Sequence, residues 1–111
     1  MTKAYTIDQK RWARFSIFDQ MGNIYSEVGR SFNAQQQGNN VDQQAATIRA
    51  IELLDATVDG LVANKSAKAK EVLRAKEEYL SVLNDSNSSP ESVKSLDRYF
   101  MQFAIAARLN R

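Results

Sequence analysis

Apolar residues recur at intervals of three and four along most of this chain, and no stretch alternates with period two over the length of a β-strand. Intervals of three and four place side chains on one face of an α-helix, whereas alternation is typical of a strand. The pattern therefore predicts an all-α fold without a sheet. A length of 111 residues predicts a single domain covering 1-111.

Four helices are predicted, at about 7-36, 41-63, 67-84 and 90-109. The last helix carries an apolar seam with spacings of 3, 4, 3 and 4: Val93, Leu96, Phe100, Phe103 and Ala107. Such a seam is typical of helices that pack in bundles, and short connections favour the packing of sequential helices. We therefore predict an antiparallel four-helix bundle.

Two helix starts are marked by residues that favour such positions. Asn39 or Asn40 is expected to cap the second helix, and Pro90 followed by Glu91 is expected to open the fourth. The buried face of the second helix is predicted from its apolar periodicity: Val41, Ile48, Ile51, Leu54, Val58 and Leu61.

The chain contains no cysteine and no histidine, which excludes disulfides, zinc fingers and the usual nucleophile–histidine catalytic sets. It also shows no Gly-rich phosphate loop, no GxSxG and no metal-ligand spacing. We therefore predict no catalytic residue, no metal and no cofactor. An enzyme built from Asp, Glu, Lys, Ser and Tyr alone is possible, but no motif indicates one.

Charge and hydropathy constrain the partners and the location of the chain. The net charge is +2, from 15 Lys and Arg against 13 Asp and Glu, which is a small excess for a dedicated duplex-binding protein. The longest strongly apolar stretch lies near 99–107, and its length is far from the roughly 20 residues of a membrane-spanning helix. The N-terminal segment has no apolar core of signal-peptide length. We expect a cytoplasmic protein that does not insert into a membrane.

Gly22 and Gly29 lie on one stripe of the first predicted helix, on either side of Tyr25. Each glycine costs about 1 kcal/mol relative to alanine inside a helix, so the missing side chains are expected to serve close packing. The close neighbour is either a helix of the same bundle or a second subunit. A ligand pocket over Tyr25 is a third interpretation.

Met101, Ile105 and Leu109 form a second apolar line on the last predicted helix, almost opposite its seam. A helix that is apolar on two opposed sides must bury both or expose a patch. We predict that this line, together with Gly22, Tyr25 and Gly29, is the interface with a second copy or a protein partner. The alternative is that the C-terminal tail packs across the end of the bundle.

Lys65, Lys68 and Lys70 cluster where the third predicted helix begins, and Arg74 follows one turn later. Cations at a helix N-terminus interact unfavourably with the helix dipole. The interpretation without a function is therefore that this helix start is solvated. The functional interpretation is a site for an anion or a nucleic acid, in which lysines and free backbone N–H groups both face phosphate. Subunits repeated in an oligomer would multiply this charge.

Two further groups of residues allow both a purely structural and a functional interpretation. Glu52, Asp55 and Asp59 share one side of the second helix; three such carboxylates usually form a solvated face or pair with lysines, although a weak divalent-cation site is possible. Trp12 is expected to cover the end of the bundle. The surrounding segment, 11–15, has the basic and aromatic composition of surfaces that stack on nucleic acid.

The segment MGNIYSEVGR resembles the four-helix-bundle proteins encoded in intervening sequences of bacterial 23S rRNA genes, whose relatives include accessory proteins of diversity-generating retroelements. The resemblance depends on five positions: Asn23, Ile24, Glu27, Gly29 and Arg30. In that family another helix usually precedes the segment, and the spacing between Asn23 and Glu27 differs. The resemblance implies a homo-oligomeric bundle with a basic surface that binds RNA or a reverse transcriptase.

Overall fold

The computed structural model describes residues 7–85 and 89–109, in which five α-helices follow one another. They are α1 Gln9–Trp12, α2 Ile17–Gln36, α3 Asn40–Ala63, α4 Lys68–Asn84 and α5 Pro90–Leu109. The described ranges contain no strand, so the predicted all-α class is confirmed. None of the helices in these ranges is long and apolar enough to cross a membrane.

The segment predicted as one helix over 7-36 is divided into α1 and α2. The break is at Ser16, whose hydroxyl accepts a hydrogen bond of 3.1 Å from the backbone N–H of Asp19 and so caps α2. Phe15 continues the apolar stripe of α2 in the sequence, but it precedes the cap and is 40% exposed. The periodicity therefore crosses a position at which the backbone changes direction.

α1 is anchored on α3 by its last residue, Trp12. The Trp12 side chain is buried, and its indole N–H donates to the hydroxyl of Thr57 over 3.1 Å. Gln9 adds a second contact, because its Nε2 donates to the carbonyl oxygen of Ala56 at 3.2 Å. α1 is short for an isolated helix, so it depends on these contacts with α3 and on Gln20 of α2, whose Nε2 donates to the carbonyl oxygen of Trp12 at 2.9 Å.

The two helix starts predicted from the sequence, at Asn39 or Asn40 and at Pro90, agree with the structure. Asn39 caps α3, since its Oδ1 accepts from the backbone N–H of Asp42 at 3.1 Å. Pro90 is the first residue of α5, and the hydroxyl of Ser89 accepts from the backbone N–H of Ser92 at 3.1 Å. The predicted loop between the last two helices includes residues 86–88, which lie outside the described part of the chain.

Four helices form a ring of contacts around the core. α2 packs against α3 on one side and α5 on the other, α3 packs against α4, and α4 meets α5 in the least extensive of these four contacts. The largest fully buried side chains come from all four helices: Met21, Ile24, Val28, Leu54, Tyr79 and Phe100. The short connections predicted that helices next to each other in the sequence pack together, and α2–α3, α3–α4 and α4–α5 do so. The antiparallel orientation stays a prediction.

The centre of the core contains a short polar network. The hydroxyls of Ser31 on α2 and Tyr79 on α4 lie 2.7 Å apart, and Ser31 also contacts the carbonyl oxygen of Val28 at 2.7 Å. A buried hydroxyl is costly when it lacks a partner, so these bonds offset the cost of burial. They also align α2 with α4 across the ring.

Candidate interaction surface

The outward side of α5 carries the predicted apolar line. Met101, Ile105 and Leu109 are 38%, 49% and 80% exposed, whereas Phe100 and Phe103 on the opposite side are buried. Residues separated by four positions lie one above another on a helix. α5 therefore fills the core with one side and leaves a second apolar side uncovered by the described residues.

Basic residues extend and flank this apolar line. Lys94 and Arg98 continue it towards the start of α5, with spacings of four and then three residues to Met101, and Arg108 lies beside it. All three are exposed, and none forms an ion pair with a described residue. Hereafter the "α5 stripe" denotes Lys94, Arg98, Met101, Ile105 and Leu109.

Gly22 and Tyr25 serve the packing of α2 against α5. A Cβ atom placed on Gly22 would lie 3.6 Å from the Cα atom of Ala104, so the glycine lets the two helix backbones approach closely. Burial raises the pKa of the Tyr25 phenol, and the hydrogen bond to Asp97 on α5 and the negative charge of that residue raise it further. Gly29 has no such neighbour, because a Cβ there would meet no atom within 4 Å.

The predicted basic cluster is distributed over a turn and two sides of α4. Lys65 has a positive φ of 55° in the turn after α3, where the backbone N–H of Ser66 reaches back to the carbonyl of Leu61 at 2.9 Å. Lys70 and Arg74 are four residues apart and share a side of α4, whereas Lys68 is rotated by about 200° from Lys70. The structure does not place all four on one helix face.

A cleft between α1 and the outer side of α2 was not predicted from the sequence. It has a volume of about 590 Å³ and is lined by basic, acidic, polar and aromatic side chains, among them Asp8, Arg11, Phe15, Glu27 and Arg30. It exists because the break before α2 turns α1 away from the axis of that helix. Three of the five positions of the family resemblance lie in its wall: Asn23, Glu27 and Arg30.

Glu27 is the electrostatic centre of this region. Its two carboxylate oxygens contact Arg30 Nη1 at 3.2 Å and Arg49 Nε on α3 at 2.7 Å. Two guanidinium groups share one largely buried carboxylate, so this group of three residues has one positive charge in excess. A sequence signal existed, since Glu27 and Arg30 are three residues apart on one helix. The contact with Arg49 depends on how α3 packs.

α3 has an exposed outward stripe that corrects one prediction. Val41 and Ile48 were expected to be buried, but they are 78% and 47% exposed, and Val62 is 61% exposed. The core is reached instead by residues on another side of α3: Ala46, Ala50, Leu53, Leu54 and Thr57. Leu54 was predicted to be buried and is buried, whereas Ala46, Ala50, Leu53 and Thr57 were not predicted. Three of these four are small or polar, so the spacing of large apolar residues did not single them out.

Three of the four carboxylates of α3 lie along this same outward side: Glu52, Asp55 and Asp59. Asp55 is paired with Lys76 on α4 at 2.6 Å, while Glu52 and Asp59 form no ion pair with a described residue. In the described part of the chain, no three carboxylates are grouped as metal ligands would be. Hereafter the "α3 stripe" denotes six residues at spacings of 7, 4, 3, 4 and 3: Val41, Ile48, Glu52, Asp55, Asp59 and Val62.

Comparisons with known proteins do not assign the chain to a family. No protein-family model, curated protein or solved structure matches it. The resemblance of residues 21–30 stays a prediction.

Proposed function

We propose that this chain is a non-enzymatic helical interaction protein that self-associates through the outward side of α5. The observation that supports the proposal is the exposure of Met101, Ile105 and Leu109 in one line, on a helix whose other side already fills the core. Contiguous exposed apolar residues on a small protein typically mark a surface that binds another protein. We propose that a second copy of this chain binds the outward side of α5.

The energetics favour this assignment. Full burial of a side chain such as leucine, isoleucine or methionine contributes about 1.5–3 kcal/mol relative to full exposure, so three partly exposed side chains supply several kcal/mol to an interface. Because these side chains are not part of the core, polar residues at their positions would cost the fold little. An apolar line at these positions therefore contributes more to association than to folding.

Replacing Met101 and Ile105 by glutamate is expected to lower the mass of the assembly to that of the 12.5 kDa chain while leaving the helix content unchanged. Two carboxylates in an apolar interface lack partners, and burying an unpaired charge is strongly unfavourable. Native mass spectrometry at modest salt measures the mass, and circular dichroism measures the helix content.

The matched control introduces two carboxylates elsewhere on α5, at the exposed positions Ser95 and Gln102. The Ser95→Glu, Gln102→Glu variant has the same added charge and is expected to keep the wild-type mass. A wild-type chain that is monomeric across the concentration range would overturn self-association, and so would a Met101→Glu, Ile105→Glu variant with the wild-type mass.

A second candidate function, RNA binding, is favoured by the cleft between α1 and α2. Arg11 and Arg30 line this cleft together with Phe15, an exposed aromatic ring that meets Trp12 edge to face at 5.7 Å between ring centres. Basic side chains beside an exposed ring are the elements with which proteins hold single-stranded nucleic acid, by phosphate contact and base stacking. The basic cluster near Lys70 and Arg74 is separate from this cleft in the sequence and in the helices it occupies.

Charge reversal at Arg11 and Arg30 is expected to weaken binding to a single-stranded RNA oligonucleotide and to reduce the dependence of binding on salt. With fewer phosphate contacts, fewer counterions are released from the RNA when it binds. Fluorescence anisotropy at several salt concentrations measures both quantities. Lys70→Glu with Arg74→Glu is the control with equal change of charge. Equal losses from both variants would show non-specific attraction, and wild-type binding that is absent or insensitive to salt would contradict RNA binding.

A further inference from the structure

We infer that the α5 stripe of one copy binds the α3 stripe of another, so that copies assemble head to tail. This inference rests on the proposed self-association and names the surface that receives α5. Both stripes are exposed and partly apolar, and their charges are opposite. The α5 stripe contains two cations, and the α3 stripe contains three carboxylates.

The charge on each stripe is not neutralised by its own helix. Among residues 94–109 of α5 the one carboxylate is Asp97, which is turned towards Tyr25 of α2. Arg49 is the one basic residue of α3, and it is bound to Glu27 of α2. The outward sides are therefore basic on α5 and acidic on α3, as complementary surfaces are.

The positions of charged and apolar residues match when the two helices lie antiparallel. Lys94 and Arg98 are four residues apart, as are Asp55 and Asp59. Arg98 precedes Ile105 by seven residues, and Ile48 precedes Asp55 by seven residues, a separation of about 10.5 Å along either helix.

One antiparallel alignment gives two pairs of opposite charge and one apolar pair, and it also sets Met101 beside Glu52. It sets Lys94 against Asp59, Arg98 against Asp55, and Ile105 against Ile48. These pairs follow from one register because both helices have the same rise per residue. Asp55 keeps an exposed side chain despite its bond to Lys76, with 47% of its area accessible.

The two stripes cannot meet within one chain. α3 and α5 are separated in the ring of helices by α2 on one side and by α4 on the other. Their outward sides consequently face different directions from the same core. A second copy brings an α3 stripe to the first copy's α5 stripe, and the second copy's own α5 stripe stays free for a third.

A symmetric contact between two α5 stripes is less favourable. It would bring Lys94, Arg98 and Arg108 of both copies to one interface, and like charges at short range repel one another. Contacts between two different surfaces of identical chains do not end with a dimer: they close into a ring or extend as a filament. The α3–α5 contact therefore predicts an assembly larger than a dimer.

Mixing two one-sided variants tests this inference. The first variant, Met101→Glu with Ile105→Glu, lacks the α5 surface but keeps the α3 stripe. The second variant, Ile48→Lys with Asp59→Lys, lacks the receiving surface but keeps the α5 stripe. Each alone is expected to be monomeric, and an equimolar mixture is expected to form a 1:1 dimer, twice the 12.5 kDa chain mass, in native mass spectrometry.

A matched control and a second measurement accompany the mixture. Leu73→Lys alters an exposed apolar residue of α4 outside both stripes and is expected to keep the wild-type assembly. Lys94→Glu or Asp59→Lys alone is expected to weaken association by about fivefold, and the chain carrying both changes is expected to recover, because the pair is restored with its charges exchanged.

The outcomes separate this inference from the proposed function. If the α3 variant alone assembles like the wild type, α3 is not the receiving surface, although self-association through α5 stands. If the two monomeric variants fail to combine, the head-to-tail contact is likewise wrong. If the α5 variant alone keeps the wild-type mass, the proposed function itself fails.

Discussion

Replacing Phe100 by alanine is expected to lower the free energy of unfolding by about 3–5 kcal/mol, the range typical of a buried phenylalanine. Phe100 is fully buried on the inner side of α5, and the ring of Tyr99 meets it edge to face at 5.3 Å between centres. The loss combines the transfer free energy of the ring with the cavity that it leaves. Domains of this size are stable by about 5–15 kcal/mol, so the variant is expected to be marginal.

Denaturant unfolding followed by circular dichroism measures this change as a lower midpoint with a similar slope. Met101→Ala is the matched control on the neighbouring residue, and its effect on monomer stability is expected to remain below about 1 kcal/mol because Met101 is exposed. Equal losses from the two variants would mean that the inner and outer sides of α5 are assigned incorrectly.

Stability is expected to fall at alkaline pH because Tyr79 is buried and Tyr25 and Tyr99 are partly buried in the fold. Burial raises the pKa of Tyr79 above its ordinary value, the hydrogen bonds with Ser31 and Thr47 lower it only in part, and the charge of Glu27 raises it further. Burial also raises the pKa of Tyr99, and the charge of Glu71, to which the Tyr99 hydroxyl donates at 3.2 Å, raises it further. The folded chain therefore disfavours the tyrosinate form at both positions.

The sign of the effect follows from proton linkage. The folded pKa values lie above the unfolded value of about 10, so the neutral phenols stabilise the fold fully below that pH. As pH rises through the unfolded value towards the folded ones, the unfolded chain loses protons first and stability declines. Unfolding free energies measured from about pH 8 to about pH 11.5 are expected to decrease above about pH 10.

The variants Tyr79→Phe and Tyr99→Phe are each expected to reduce this alkaline slope, because phenylalanine has no proton to lose. Tyr25→Phe is expected to have a similar effect of the same sign, since the pKa of Tyr25 is also raised. A flat profile for the wild-type chain, or an unchanged slope in all three variants, would contradict the raised pKa values of these phenols.

The predictions from sequence were best where the local chain settles the structure. The cap at Asn39 and the start at Pro90 depend on side chains within one turn, and both agree with the structure. The seam of α5 is regular enough to identify its buried side, since Leu96, Phe100 and Phe103 are all buried. The exposed apolar line of Met101, Ile105 and Leu109 on the opposite side was predicted in the same way, from the rotation of about 100° per residue in a helix.

The predictions failed where a neighbour decides between two apolar sides of a helix. Val41 and Ile48 have helical spacing, yet the core side of α3 is the one with Ala46 and Ala50, because small residues let another helix approach closely. Phe15 likewise continued a stripe that the capping of α2 by Ser16 interrupts. Both outcomes depend on packing that no local pattern specifies.

The sequence by itself determined the helical class, most helix ends and the two-sided character of α5, because these follow from residue spacing and from side chains that bond to nearby backbone. The tertiary structure alone decided which helices are neighbours and therefore which apolar sides stay exposed. It brought Gly22 to Ala104, enclosed the cleft beside Arg30, and separated α3 from α5. These are contacts between residues far apart in the chain, and their geometry arises only when the whole core is packed.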